Sequence, residues 1–94
     1  MMRIEGARLS LSGPVTLATV ASMVEEGGRQ VTANDTVLDL SGVTQVDSAA
    51  LALLLGWTRA ARAAGRQIRF QGAPAALVSL ASLYDVDTLL PLAS

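Results

Sequence analysis

Neither cysteine nor histidine occurs in the 94 residues. Without thiols there is no disulfide framework and no thiolate metal site. Without imidazole the chain lacks the usual general base, the commonest metal ligand and the side chain that titrates near neutral pH. Lysine is missing as well. The seven basic residues are scattered arginines, and against eight acids they leave a net charge of −1. Nucleic acid is therefore not an expected ligand, since neutralising phosphates takes a basic patch. The longest uncharged apolar run, Ala49 to Thr58, falls far short of the roughly 20 residues that span a bilayer. The opening MMRIEGARLS has no apolar core of the signal-peptide kind. These absences predict a soluble, cytoplasmic protein with no direct membrane insertion, no metal and no cofactor.

What the chain does have is apolar residues, 51% of the total against 16% charged. That composition folds. A chain of this length makes one domain, residues 1–94, and buries only about 60–65% of its unfolded surface. Surplus apolarity in so small a body points to cover by a partner.

The most informative stretch runs from Thr36 to Gly65. Thr36–Leu40 reads as an apolar strand, central in its sheet, with Asp39 interrupting it near its end. Ser41–Val46 reads as a polar loop. A long helix then opens at Asp47-Ser48 and closes before Gly65. Either Asp47 or Ser48 suits the N-cap, where a short side-chain oxygen takes up an orphan N–H. Gly65 suits a left-handed C-terminal cap, and Arg59 and Arg62 lie near the negative helix end. Leucines and alanines occupy more than one face of this helix, as on a helix covered from two sides.

Elsewhere the pattern is plainer. Arg8–Ser12 alternates as a half-buried strand does, with Met2–Glu5 pairing to it through Gly6. Gly13-Pro14 is expected to break that strand. A helix then follows from a Thr16 cap, with Leu17, Val20, Ala21 and Val24 as its core stripe and Gly27-Gly28 as its stop. Glu25 and Glu26 would then sit at its negative end, an unfavourable place. Gln30–Asp35 reads as a polar connector. Gln67–Gln71 alternates cleanly, and Pro74 opens a third helix at its first position. Leu77, Leu80, Ala81 and Tyr84 form that helix's expected core stripe. Asp85–Ser94 is expected to hold a short turn before Pro91 and a frayed end. Strand–helix–strand passages need crossovers, so the expected fold is a small α/β sandwich, its sheet mostly parallel, its helices mainly on one face.

VLDLSGVTQVDSAALALLL (Val37–Leu55), then a basic-tipped helix, Gly65, an alternating strand and a Pro-started helix, resembles the STAS domain. That family includes anti-sigma-factor antagonists and domains of sulphate transporters. In its phospho-regulated branch a D-S-S-G run carries the acceptor on the second hydroxyl residue. The run here is Asp47-Ser48-Ala49-Ala50, so Ala49 occupies the acceptor position and Ala50 replaces glycine. The D-[ST] junction, the L-A-L-L-L helix start and the tail LASLYDVDTLLP (Leu80–Pro91) are more similar to the MlaB-type STAS subunit of phospholipid ABC transporters. That resemblance implies a non-catalytic subunit that binds the transporter's ATPase and lies peripheral to the inner membrane through it. The alternative is an anti-sigma-factor antagonist whose partners are an anti-sigma factor and a serine kinase, with Ser48 as the candidate phosphorylation position. A third reading, a hydrolase using Ser48, lacks a conventional base.

The candidate partner-binding residues are Asp47, Ser48, Ala49, Ala50, Leu53, Trp57 and Tyr84. Each has a plainer reading beside it. Asp47 and Ser48 would cap any helix. Trp57 and Tyr84 stand open between core residues and interface anchors, a role in which these types are enriched. Asp39 and Asp47 read as structural carboxylates, because no Gly-rich phosphate loop accompanies them.

Overall fold

The computed structural model describes residues 1–92. Its elements in chain order are β1 (Met2–Glu5), β2 (Arg8–Val15), α1 (Ala21–Ala33), β3 (Thr36–Val46), α2 (Ser48–Ala63), β4 (Ile68–Gln71) and α3 (Ala75–Leu83). The strands form one sheet in the order β1-β2-β3-β4. β1 is antiparallel to β2, and β2, β3 and β4 run parallel. The parallel pairs need crossovers, which α1 and α2 supply. This is the mostly parallel α/β sandwich that the element order implied.

Buried strand side chains all point one way. Leu9 and Leu11 of β2, Leu38 and Leu40 of β3, and Phe70 of β4 meet Leu51, Leu54 and Ala61 of α2 and Leu77 and Ala81 of α3 in one core. The opposite face carries Arg8, Ser10, Asp39 and Arg69 and is open to solvent. There Arg8 Nη2 donates to Asp39 Oδ2 at 3.0 Å, while Asp39 Oδ1 accepts from the Ser41 N–H at 3.0 Å and its hydroxyl at 2.8 Å. The Ser41 N–H and then its hydroxyl hold the Asp39 carboxyl below its ordinary pKa; desolvation opposes them, and the Arg8 guanidinium adds a smaller lowering effect.

Several boundaries differ from expectation. β3 does not stop at Leu40 but runs through Asp39 and Ser41 to Val46. Its second half pairs with β2 only, from Ser12↔Gly42 to Val15↔Val46, because β4 ends at the Gln71↔Asp39 pair. A half-exposed strand tolerates the polar residues that read as a loop. β2 likewise continues through Gly13-Pro14 to Val15, with register shifts that absorb the proline. Pro74 sits one residue before α3 as its N-cap.

The largest correction concerns α1. The helix begins at Ala21, not after Thr16, and passes straight through Gly27-Gly28 to Ala33, so the expected Gln30–Asp35 connector is largely helix. Its buried face is Met23, Gly27, Gln30 and Val31; of the expected stripe, Leu17, Ala21 and Val24 are exposed and only Val20, half-buried, packs against the core. Leu17 is 79% and Val24 51% exposed. Gly27 is there because Trp57 lies on it: a Cβ would fall 2.1 Å from the indole Cζ2. Gln30 is buried by donating its side-chain amide to Gly6 O at 2.9 Å. Glu25 and Glu26 thus lie mid-helix, and Arg29 Nη1 reaches Glu25 Oε1 at 3.0 Å one turn on.

The C-terminal segment is also better packed than expected. Val86 O accepts from the Leu89 and Leu90 N–H groups, and Leu90 and Leu92 enter the core. The remaining part of the expected frayed end, residues 93–94, lies outside the described residues.

Candidate functional site

α2 begins where β3 leaves the sheet, and its first turn is organised by one carboxylate. Asp47 takes the extended backbone of an N-cap (φ −139, ψ −170), and its Oδ1 accepts from the Ala49 N–H at 2.9 Å. The other oxygen, Oδ2, accepts from the Leu17 N–H at 3.0 Å. One side chain therefore caps α2 and pins the turn that leads into α1. Asp47 is the cap, and this releases Ser48. The Ser48 side chain is exposed, and its hydroxyl makes no hydrogen bond within the described residues.

From Ala49, the residue after Ser48, a groove of about 510 Å³ runs between α2 and the segment of Leu17 to Gly28 that leads into and through the first turns of α1. Its floor is small: Gly28 from α1, and Ala49, Ala52, Gly56 and Ala60 from α2. Leu17, Val20 and Val24 form one wall, and the edges of Leu53 and Trp57 close the bottom. None of the lining residues is charged. At the bottom of the groove Trp57 lies under Gly27 and its Nε1 donates to Val24 O at 3.1 Å. The short side chains of α2 leave the groove open.

The seven sequence candidates thus separate. Ala49, Leu53 and Trp57 line the groove, while Asp47 and Ser48 precede Ala49 at the start of α2 and are not among the lining residues. Leu53 is 6% and Trp57 3% exposed, so both are mainly core residues of this chain. Ala50 points inward at 1% exposure, packed with Leu11, Leu40 and Leu77. Tyr84 is half-exposed, but α3 returns along the sheet and leaves it at the end where β3 and β4 begin, away from Asp47. The residues that the sequence reading missed are Leu17, Val20 and Val24, which it placed in the core. Their signal was visible: they share an apolar stripe, yet the stripe ends where Gly27 and Gly28 keep the helix going.

The chemistry on offer is recognition. A free hydroxyl, a helix N-terminus and an uncharged apolar trough lie side by side. Both Asp47 oxygens are bound to backbone N–H groups, and among the described residues no group of three or more metal-ligating side chains gathers.

A family model described as "Mlab, STAS domain" matches residues 2–91. Among solved structures, the anti-sigma factor antagonist SpoIIAA in its unphosphorylated form superposes with a TM-score of 0.69 at 11% identity, over 88% of this chain and 81% of its own. A second, a crystal structure of Mglu, gives a TM-score of 0.62 at 20% identity over 80% of this chain. The chain spans only 19% of the length of that protein. At these identities the likeness is one of fold. No curated protein matches.

Proposed function

The chain belongs to the MlaB-like STAS domain family, and we propose from this premise that it is a non-catalytic subunit that docks on the ATPase of an ABC phospholipid transporter. The α1–α2 face is the proposed dock, with Ser48 at its head and the groove along its length. The observation that carries this reading is the uncovered trough beside an unengaged hydroxyl. Apolar walls such as Leu17, at 79% exposure, are costly to leave in water, and a partner side chain or helix would remove them from it. Among the described residues no helix is long and apolar enough to cross a membrane.

Co-expression tests the reading. An Mla-type ATPase subunit should co-purify with the wild-type chain and be lost from Ser48→Arg, while circular dichroism shows that the variant keeps its fold. Retention of the ATPase by folded Ser48→Arg would move the dock elsewhere.

The second reading, an anti-sigma-factor antagonist, draws on the likeness to SpoIIAA. Exposed Ser48 could accept a phosphate at the start of α2, although Asp47 next to it opposes the added charge of roughly −2. Incubation with the candidate kinase and ATP, followed by mass spectrometry, distinguishes the two. A phosphate on Ser48 supports signalling, and an unmodified chain supports the transporter reading.

A further inference from the structure

The far end of α2 holds a second concavity that the proposed dock does not use. Ser48 and Arg62 are fourteen residues apart, which is roughly 21 Å along a helix axis. At that end a pocket of about 310 Å³ opens beside β4, and three arginines from three different pieces of backbone border it. Arg62 comes from the last turn of α2, Arg66 from the turn after it, and Arg69 from β4. The floor is apolar, with Ile68, Phe70 and Pro91 among its residues.

Two features set these arginines apart from an ordinary solvated surface. First, the turn that presents them is fixed. Gly65 adopts φ +72, the Arg66 N–H donates to Ala61 O at 2.8 Å and the Gly65 N–H to Arg62 O at 3.0 Å, which closes the helix end and satisfies its last carbonyls. Second, the guanidinium groups have no acid to neutralise them. The ion pairs among the described residues involve Arg3, Arg8 and Arg29. Asp35 borders the site through Gln67, but one of its oxygens is bound to the Gln67 N–H at 3.0 Å. No carboxylate lines the pocket. Three like charges around one small concavity repel each other, and an anion entering it turns that repulsion into attraction.

We propose that this pocket binds a phosphate group. The guanidinium fork matches phosphate oxygens two at a time, and Arg62 and Arg66 on the helix side, with Arg69 at the β4 edge, border one space that suits an oxyanion with several acceptor oxygens. An acidic peptide added to the β4 edge is the competing occupant. It is less suited, because β4 offers only four residues to pair with, Ile68–Gln71. The phosphate could be free, as inorganic phosphate, or carried on a lipid headgroup, whose glycerol and first methylenes would meet the apolar floor.

The test uses the full chain, titrated with inorganic phosphate at ionic strength held constant with chloride and followed by amide and guanidinium NMR shifts. Saturable shifts at Arg62, Arg66 and Arg69 are expected, with at least a tenfold weaker response in the double variant Arg66→Gln/Arg69→Gln. Both positions are exposed, so an unchanged melting temperature should confirm that this variant is folded. Co-sedimentation with phosphatidylglycerol vesicles, but not with phosphatidylcholine vesicles, would assign the phosphate to a headgroup. Saturation by inorganic phosphate without vesicle binding would assign it to a small free ligand. Either result supports the site. No saturable shift in the wild type, an undiminished response in the double variant, or β4 shifts with a glutamate-rich peptide but none with phosphate would overturn it. None of these outcomes depends on whether Ser48 and the groove bind an ATPase.

Discussion

The two long sides of α2 are equally apolar by composition and opposite in fate. Leu51, Leu54 and Ala61 press on the sheet and are 4%, 1% and 0% exposed. Ala49, Ala52, Gly56 and Ala60 line an open groove on the other side. The difference lies in side-chain size. Leucines fill the space above β2 and β3, whereas Ala49, Ala52, Gly56 and Ala60 leave a trough toward Leu17, Val20 and Val24. The inner side thus holds the fold together. On the outer side only Leu53 and Trp57 are buried, and the alanines and glycine around them leave the proposed dock open.

Substitutions on the two sides should therefore differ most in stability. Leu54→Ala removes a fully buried side chain and should cost roughly 2–5 kcal/mol by chemical denaturation. Ala52→Leu, which grows into the open groove, should change stability by less than about 0.5 kcal/mol. Equal effects would erase the distinction. Next in size is the close approach of α1 to α2 at Trp57. Gly27→Ala gains helix propensity but drives a Cβ into the Trp57 ring, and the clash should win by about 1–3 kcal/mol. A stabilised Gly27→Ala would mean that the indole can move aside and that the groove is adjustable.

Asp47 belongs to both sides, since it starts α2 and holds the turn that carries Leu17. Asp47→Ala should lose about 1–2 kcal/mol, and Asp47→Asn should recover only part of it, because the one amide oxygen can still accept from the Ala49 N–H while the amide nitrogen cannot accept from the Leu17 N–H. Full recovery in Asp47→Asn would show that the bond to Leu17 adds nothing to stability. The smallest effect is expected from the face of the sheet that carries no helices. The Asp39 pKa is lowered on folding, so its stabilisation is complete above the ordinary carboxylate range, near pH 4. It is lost as pH falls through the lower folded value. Asp39→Asn should flatten that acid limb of the stability curve, and an unchanged limb would reassign it to other carboxylates.

What could be read from the sequence follows the range of the interactions involved. The start of α2 at Asp47 and its end at Gly65 were legible because a cap and a left-handed glycine are local chemistry. So was the hairpin through Gly6. α1 was misread because the reason for Gly27 is a ring thirty residues later, and no local rule distinguishes a glycine that stops a helix from one that admits an indole. The second half of β3 was misread because its polar residues reflect the lack of a β4 partner beyond Asp39, a fact of sheet order. At the start of α2, Asp47 was legible as a cap. Leu17 and Val24 were mistaken for core because apolar periodicity reports a face without saying what covers it.

The most direct test is the affinity of the purified chain for the transporter ATPase, measured calorimetrically with Ala52→Glu beside the wild type. Ala52 is exposed in mid-groove, so the charge should leave the melting temperature unchanged and weaken binding at least tenfold. Equal affinity in a folded Ala52→Glu would contradict the assignment of this groove as the dock.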